Sequence, residues 1–319
     1  MSHVKTCELC QQTELVFKEN AIDYLSQRSF ELWYCSTCDS YQTRGNFEKD
    51  EEYYGAGYYG SQKGKFSPFI EKIFHWNHRR NALFFYDKFK PKTVLEIGCG
   101  RAYILKELKT MGVEVSCLES STAADWILNN PDVTVVPISE HDKTWRFPDN
   151  HFDLVILWHV FEHLAQPVEI LKEIHRILSP NQTICISVPN VASLQARINL
   201  TAWFHLDVPR HLFHFSETGL INLLENNGYE ITEIQNGDAL QNLYGWFQSL
   251  ANLFTKPVNN LLYRFIQGGQ PWKSCSKKWL LIPQIISSVI WLPLGLLGYA
   301  WEVITKKPAT ITIYARKKS

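Results

Sequence analysis

Residues 94–100 read Val-Leu-Glu-Ile-Gly-Cys-Gly, a short apolar strand pattern that runs into a glycine-rich turn. Glycine lets the backbone turn sharply and lets a ligand approach main-chain atoms where a Cβ would collide. The apolar residues that follow recur at helical spacing: Ile104, Leu105, Leu108 and Met111. A strand, a glycine turn and a helix in this order predict a nucleotide-type binding loop.

Glu96 lies inside this strand, two residues before the first glycine. A carboxylate at that position would repel a dinucleotide pyrophosphate held at the helix N-terminus, whereas it would attract an ammonium group. The third glycine of the dinucleotide pattern is also missing, because Arg-Ala-Tyr follows Gly100. The loop therefore favours S-adenosylmethionine over NAD as its ligand.

The composition sets outer limits on the fold and its partners. A chain of 319 residues, 45% of them hydrophobic, can bury one large core with a small module, or two medium domains. The formal net charge is zero, so no overall charge favours a nucleic acid as partner. No apolar run follows the first basic residue, so we expect no secretory signal and a cytoplasmic location.

Four of the eight cysteines form two Cys-x-x-Cys pairs, at Cys7 with Cys10 and at Cys35 with Cys38. Two such turns supply a tetrahedral thiolate set, which predicts a zinc ribbon with two short strands between the pairs. All four positions are filled by protein, so the zinc would be structural. The alternative is a pair of redox motifs or unpaired thiols. We expect the other cysteines to be core thiols: Cys99, Cys117, Cys185 and Cys275.

From residue 93 onward, strand and helix patterns alternate, which is typical of a doubly wound α/β domain. The predicted strands are 93–97, 114–118, 133–137, 153–158 and 183–188. The predicted helices are 102–111, 122–129 and 166–178, and a covering helix precedes them at 67–89. A tyrosine- and glycine-rich stretch at 51–60 is interpreted as a linker, and residues 309–316 alternate like a final strand.

Glu119 ends the second predicted strand, 19 residues beyond Gly100. In folds of this type, an acid at this place accepts hydrogen bonds from both ribose hydroxyls of the ligand. The alternative is an ordinary surface carboxylate.

Residues 152–190 carry the most specific resemblance. They include Phe-Asp-Leu-Val-Ile-Leu-Trp-His-Val-Phe-Glu-His-Leu at 152–164, Arg-Ile-Leu-Ser-Pro at 176–180 and Ser-Val-Pro-Asn at 187–190. These segments resemble class I S-adenosylmethionine-dependent methyltransferases, in the branch of ubiquinone-biosynthesis O-methyltransferases and bacterial surface-glycan methyltransferases. The resemblance implies a Rossmann-like sheet of seven strands, in which 309–316 inserts beside a sixth strand at 229–235.

The resemblance also implies the roles of the loop residues. Glu96 would face the methionine ammonium, and Glu119 would take the ribose hydroxyls. Gly98 and Gly100 would line the methionine and the ribose. Ala102 stands where the family has a third loop glycine and would also contact the donor, and the substitution alters a turn of the loop.

Methyl transfer to a hydroxyl group needs in-line positioning and a base. The proposed catalytic residues are His159, Glu162, His163 and His211. In the ubiquinone enzymes, residues at the positions of the first three can hold a divalent metal, with an acid where His159 stands. The alternative is that Glu162 and His163 only pack and orient their loop.

The Pro-Arg-His-Leu-Phe-His-Phe stretch at 209–215 belongs to the same resemblance, and with His205 it predicts the wall of an acceptor pocket. His205 and His214 would contact the acceptor there. Arg210 would bind an anionic group of the acceptor, and the alternative for Arg210 is a structural salt bridge.

Residues 238–308 are an apolar and basic helical insertion before the final strand. The 23 residues from Trp279 to Trp301 carry no charge, and between residues 256 and 307 seven basic residues face one acid, a net charge of +6. If the final strand joins the sheet, both ends of the insertion lie on one side of any membrane. A single crossing is then excluded, and a hairpin, a re-entrant wedge or an interfacial patch on an anionic bilayer remains. The alternatives are a helical cap and a homodimer interface.

We therefore predict four segments: a zinc ribbon at 1–44, a linker with a covering helix at 45–90, an α/β domain at 91–237 plus 309–319, and the insertion at 238–308. The expected function is O-methylation of a glycan or a lipid-linked intermediate at the cytoplasmic membrane face. The alternative is a binding or scaffolding protein that keeps the fold without the chemistry. Nucleic-acid methylation is disfavoured, because Trp-His-Val-Phe at 158–161 replaces the motif of amino-methylating DNA enzymes.

Overall fold

The computed structural model describes residues 6–11, 15–46, 66–123, 125–139, 142, 144–255, 258–267, 272–273 and 275–318. The predicted linker at 51–60 lies outside these residues. The chain divides into two compact units. The first unit comprises Met1–Glu48, Val188–Leu223 and Ile234–Thr312, and the second comprises Lys49–Ser187, Leu224–Glu233 and Ile313–Ser319.

Strands and helices alternate through the middle of the chain, as the sequence predicts. The strands are β1 (Leu15–Ile22), β2 (Ser29–Cys35), β3 (Ser40–Arg44), β4 (Thr93–Ile97), β5 (Glu114–Ser120), β6 (Thr134–Ile138), β7 (Phe152–Trp158), β8 (Leu178–Pro189), β9 (Phe213–Phe215), β10 (Tyr229–Asn236) and β11 (Thr310–Lys317). The α-helices are α1 (Pro68–Phe89), α2 (Tyr103–Thr110), α3 (Asp125–Leu128), α4 (Pro167–Ile177), α5 (Leu194–Asn199), α6 (Glu217–Asn226), α7 (Ala239–Leu253), α8 (Leu261–Gln267), α9 (Leu281–Ile290) and α10 (Leu292–Thr305).

Seven strands form one sheet in the order β10-β11-β8-β7-β4-β5-β6. Strand β4 pairs in parallel with β5 and β7, and parallel pairing continues to β6 on one side and β8 on the other. The centre of β7, Leu154 to Leu157, is fully buried, as expected for a parallel strand covered on both faces. The predicted Rossmann-like α/β fold of seven strands is confirmed, and β11 lies beside β10 as predicted.

Two details differ from the predicted elements. Strand β8 begins at Leu178, five residues earlier than predicted, because Phe152 pairs with Leu178 before a register shift. Helix α3 has four residues instead of the predicted eight.

Two of the predicted core thiols are joined in a disulfide, between Cys99 in the glycine loop and Cys117 on β5. Their Cα atoms are 5.9 Å apart because β5 pairs with β4, the strand that leads into the loop. The expectation of separate thiols was therefore wrong for this pair. Cys185 and Cys275 are free and buried, as expected.

The N-terminal strands form a second sheet, in the order β1-β2-β3-β9. It contains a third ribbon strand, β3, in addition to the two predicted ones. Strand β9 extends this sheet by antiparallel pairing with β3, with Tyr41 opposite His214.

The insertion folds into helices α7 to α10. Large apolar side chains of α9 and α10 are exposed, among them Ile282, Val289, Leu297 and Ile304. Among the described helices, none is by itself long and apolar enough to cross a membrane. Lys278–Ile290 and Leu292–Thr305 pass that test only as a pair, which is bent by 60°.

Candidate functional site

The glycine loop leaves β4 in a conformation that favours glycine. Gly98 has φ of +69° and Gly100 has φ of +49°, both in the left-handed region. The N–H of Gly98 donates to the carbonyl oxygen of Leu118 at 2.7 Å, which ties the loop to β5. A Cβ on Gly98 would lie 2.5 Å from Cγ2 of Val160, so this position also requires glycine for space.

Glu119 holds the loop from the end of β5. Its Oε2 accepts a hydrogen bond from the N–H of Gly100 at 2.8 Å, and its Oε1 accepts one from the N–H of Ser120 at 3.0 Å. The side chain is buried, although it lies at the carboxyl-terminal end of β5. The structure therefore places the carboxylate of Glu119 beside the glycine loop.

Glu96 is buried in β4 beside this loop. Burial and the nearby carboxylate of Glu119 raise the pKa of Glu96 to about 8. Its Oε2 is buried and has no hydrogen-bond partner in the part of the chain that the structure describes. A buried carboxylate without a partner is costly, so this position is suited to a cationic hydrogen-bond donor.

A cavity of about 200 Å³ opens beside Glu96 in the second unit. Its walls come from the glycine loop, from α1 and α2 and from the residues before α1: Phe66, Glu71, Phe74, His78, Glu96, Cys99, Arg101, Tyr103 and Ile104. The predicted covering helix thus contributes directly to the site.

Glu71 and Tyr103 are cavity residues that the sequence reasoning missed. The hydroxyl of Tyr103 donates to Oε2 of Glu71 at 2.9 Å. Burial and this carboxylate raise the pKa of Tyr103 to about 12. Their only sequence signals were the covering-helix pattern and an aromatic residue at the first position of α2.

Ala102 lies at the N-terminal end of α2 with φ of +55° and is fully buried. An L-residue with a Cβ pays roughly 1–2 kcal/mol in this region. This strain explains why methyltransferases of the resembling family have a glycine at this position. The helix still begins at the next residue, Tyr103.

His159, Glu162 and His163 follow β7 in the second unit. His159 has φ of +55°, and its Nδ1 lies 3.7 Å from Oε1 of Glu162, which is 1% exposed. A carboxylate oxygen of Glu162 and a ring nitrogen of His163 lie within 4.8 Å, close enough to share a cation. Left-handed backbone at a non-glycine residue is a feature of functional loops.

The fourth predicted catalytic residue and the predicted acceptor-binding residues lie in the first unit and are buried: His211, and His205, Arg210 and His214. Arg210 donates to Oδ1 of Asp23 at 2.8 Å and to Oδ1 of Asp207 at 2.7 Å, and its guanidinium lies over the ring of Tyr24. This geometry matches the salt-bridge alternative for Arg210.

The four predicted zinc ligands, Cys7, Cys10, Cys35 and Cys38, converge so that all their Sγ atoms lie within 4.8 Å of one another. The Sγ atoms of Cys7 and Cys38 are 3.5 Å apart, and those of Cys10 and Cys35 are 3.6 Å apart. Tetrahedral zinc with thiolate ligands places its sulfurs about 3.8 Å apart, so the cluster fits that ion.

One ribbon side chain supports the thiolate form of Cys7. Nε2 of Gln42 donates to Sγ of Cys7 at 2.8 Å. A hydrogen bond from the Cys38 thiol lowers the pKa of Cys7 to about 5.

Comparisons with known proteins identify the family of this chain. Residues 70–234 match the family model described as a methyltransferase domain. A probable S-adenosylmethionine-dependent methyltransferase of Mycolicibacterium smegmatis is 28% identical over 149 residues, which are 44% of this chain. The chain spans about half, 53%, of the length of this curated relative.

Solved structures with a similar fold include a methyltransferase of Archaeoglobus fulgidus, with a TM-score of 0.48, 22% identity and coverage of 78% of this chain and 98% of that one. Coclaurine N-methyltransferase gives a TM-score of 0.44 and 13% identity, over 75% of this chain and 70% of that one. The chain therefore belongs to the methyltransferase-domain family, because the family model covers more than half of its residues.

Proposed function

We propose that this chain transfers a methyl group from S-adenosylmethionine to a hydroxyl group of a glycan or a lipid-linked intermediate at the cytoplasmic face of a membrane. One observation supports S-adenosylmethionine as the methyl donor: Oε2 of Glu96 is buried and has no hydrogen-bond partner among the described residues. The methionine ammonium supplies a hydrogen bond and a positive charge to this carboxylate. The description of the mycobacterial relative supports the same donor.

The loop residues divide the remaining contacts of the donor between them. The bare backbone at Gly98 and Gly100 would line the methionine and the ribose, and Glu119 would accept hydrogen bonds from the ribose hydroxyls. Arg101 lines the same cavity and offers a positive charge to the methionine carboxylate. When bound, S-adenosylmethionine supplies a methyl group on a good leaving group, so the protein has to position and deprotonate the acceptor.

A histidine of this chain would act as the base that takes the proton of the acceptor hydroxyl. Nδ1 of His211 lies 2.9 Å from the carbonyl oxygen of His205. A carbonyl oxygen only accepts, so Nδ1 carries the proton and Nε2 of the neutral ring carries the lone pair that a base needs. His163 is the second candidate, and Glu162 beside it would orient it or share a divalent cation with it.

The exposed faces of α9 and α10 support a membrane location for the acceptor. These helices bury polar residues, Gln284, Ser287 and Glu302, and expose large apolar ones, which is the reverse of the usual pattern. Exposed lysines flank the pair at Lys277, Lys278, Lys306 and Lys307. Apolar surface bordered by lysine and tryptophan suits an anionic bilayer, and burial in a homodimer is the alternative.

A labelling experiment tests this function. Purified protein is incubated with methyl-deuterated S-adenosylmethionine and membranes, and the lipid and glycan fractions are examined by mass spectrometry. We expect one labelled species, lost in His211→Gln or His163→Gln and retained in the control His151→Gln, which changes a histidine just before β7. Donor binding without any labelled acceptor would favour the non-catalytic binding protein.

A further inference from the structure

The loop 207–214 carries His211 and His214, and the ribbon contacts it at two separate places. The first is the turn between β1 and β2, where Asp23 is fully buried and accepts from Arg210. Arg210 immediately precedes His211, so this ion pair fixes one end of the histidine segment.

The second place is Thr43 on β3. Its backbone N–H donates to the carbonyl oxygen of Leu212 at 2.9 Å, and its hydroxyl donates to the carbonyl oxygen of His211 at 2.7 Å. Oγ1 of Thr43 also lies 2.9 Å from Nε2 of His214. The single hydroxyl proton is committed to His211, so Nε2 of His214 must donate the bond to Oγ1.

Thr43 thereby selects a tautomer. Neutral His214 carries its proton on Nε2 and its lone pair on Nδ1, while His211 carries its proton on Nδ1 through the carbonyl of His205. The two histidines are held in opposite tautomers, and one threonine side chain links them.

The same strand reaches the cysteine cluster on its other face. Gln42 precedes Thr43, and successive side chains of a strand point to opposite faces. Gln42 bonds to Sγ of Cys7 on one side, and Thr43 bonds to the histidine loop on the other. Strand β3 also pairs directly with β9, which carries His214.

We propose that the cysteine ribbon is a positioning device for the histidine loop, and that Thr43 is the positioning residue that sets the tautomer of His214 and holds the main chain at His211. The inference rests on the proposed function in one respect, because His211 is the proposed base. It explains why a structural ribbon accompanies this catalytic fold: the ribbon supplies one strand of the sheet that carries the loop.

Long-range nitrogen–proton NMR of histidine-labelled protein tests this directly, because it distinguishes the two tautomers. The spectra of His211→Gln and His214→Gln assign the two signals. In the wild-type protein we expect the Nδ1–H tautomer for His211 and the Nε2–H tautomer for His214. The opposite tautomer at either residue would overturn the proposal, whatever the behaviour of other variants.

Thr43→Val keeps the shape of the side chain and removes the hydroxyl. We expect it to abolish the single-tautomer signal of His214 and to shift that of His211, while Thr43→Ser restores both. Thr6→Val, an exposed threonine of the same ribbon, is the matched control and should leave both signals unchanged. Unchanged histidine signals in folded Thr43→Val would contradict the inference.

The affinity for S-adenosylmethionine separates this inference from the proposed function. Thr43 belongs to the first unit and the donor cavity to the second, so Thr43→Val should bind the donor within about twofold of the wild-type protein. Failure of the wild-type protein to bind S-adenosylmethionine would refute the proposed donor and leave the tautomer result standing.

Discussion

The N–H of Gly100 donates a hydrogen bond of 2.8 Å to the carboxylate of Glu119, across the gap between β4 and β5. The acid proposed to bind the ribose and a glycine proposed to line the ligand are thus held together by the protein itself. The loop is preorganised by the residue that would share its ligand.

Glu119→Gln tests this double role. Because the amide replaces a charged acceptor with a weaker neutral one, we expect the affinity for S-adenosylmethionine to fall about tenfold or more. Isothermal titration calorimetry measures the change. Glu114→Gln, on the exposed first residue of the same strand, is the control and should bind as the wild type does.

Gly98→Ala tests whether the loop needs glycine for space as well as for its backbone angle. The new Cβ meets Val160 and sits at positive φ, so we expect a loss of roughly 2–5 kcal/mol in the free energy of unfolding. Gly112→Ala has positive φ and an open surrounding, so it should lose only about 1 kcal/mol. Chemical denaturation measures both, and equal losses would remove the steric contact from the explanation.

Replacing lysines with glutamates tests the proposed membrane-binding surface of the insertion. In sedimentation with vesicles, we expect the wild-type protein to bind those containing anionic lipid. Lys277→Glu combined with Lys278→Glu should weaken this binding at least tenfold, because each basic residue near the surface contributes about 1 kcal/mol. Lys90→Glu combined with Lys92→Glu makes the same charge change in the second unit and should have little effect. A stable dimer that does not bind vesicles would favour the alternative interface.

The cysteine cluster is tested by its metal content. We expect one zinc ion per chain by elemental analysis, and a lower melting temperature after Cys38→Ser or treatment with a chelator. Cys275→Ser, at a buried cysteine outside the cluster, should keep the full zinc content. Zinc-free protein with an unchanged melting temperature would contradict the structural role.

Local patterns predicted much of the fold and singled out residues of the candidate donor site. Glu96, Gly98 and Glu119 were singled out because strand, turn and acid occur at fixed spacing along the chain. Glu71 and Tyr103 were missed because their contact depends on how α1 packs beside the loop, which no local pattern encodes. The Cys99–Cys117 bond was missed for a similar reason, since it depends on the register between β4 and β5. The sequence left two roles open for Arg210, binding of an anionic acceptor group and a structural salt bridge. The salt bridge could not be predicted because its buried partner, Asp23, lies 187 residues away in the chain.

The pH dependence of the ligand-free protein follows from Glu96. Its pKa rises from an ordinary 4.5 to about 8 on folding, so between those values the folded state binds more protons than the unfolded state. Its contribution to stability is present at low pH and is lost as the pH rises through 8. Glu96→Gln should therefore have the higher melting temperature above pH 8, with the difference shrinking toward pH 5.

Calorimetric titration of S-adenosylmethionine into the wild-type protein and Glu96→Gln, in buffers of different ionisation enthalpy at pH 7, tests the central claim most directly. Binding of the ammonium group should ionise Glu96 and release close to one proton. Glu96→Gln should bind about ten- to a hundredfold more weakly and release none, since a charged hydrogen bond of roughly 1.5–3 kcal/mol is lost. Equal affinity and equal proton release in the two proteins would contradict the assignment of Glu96 to the methyl donor.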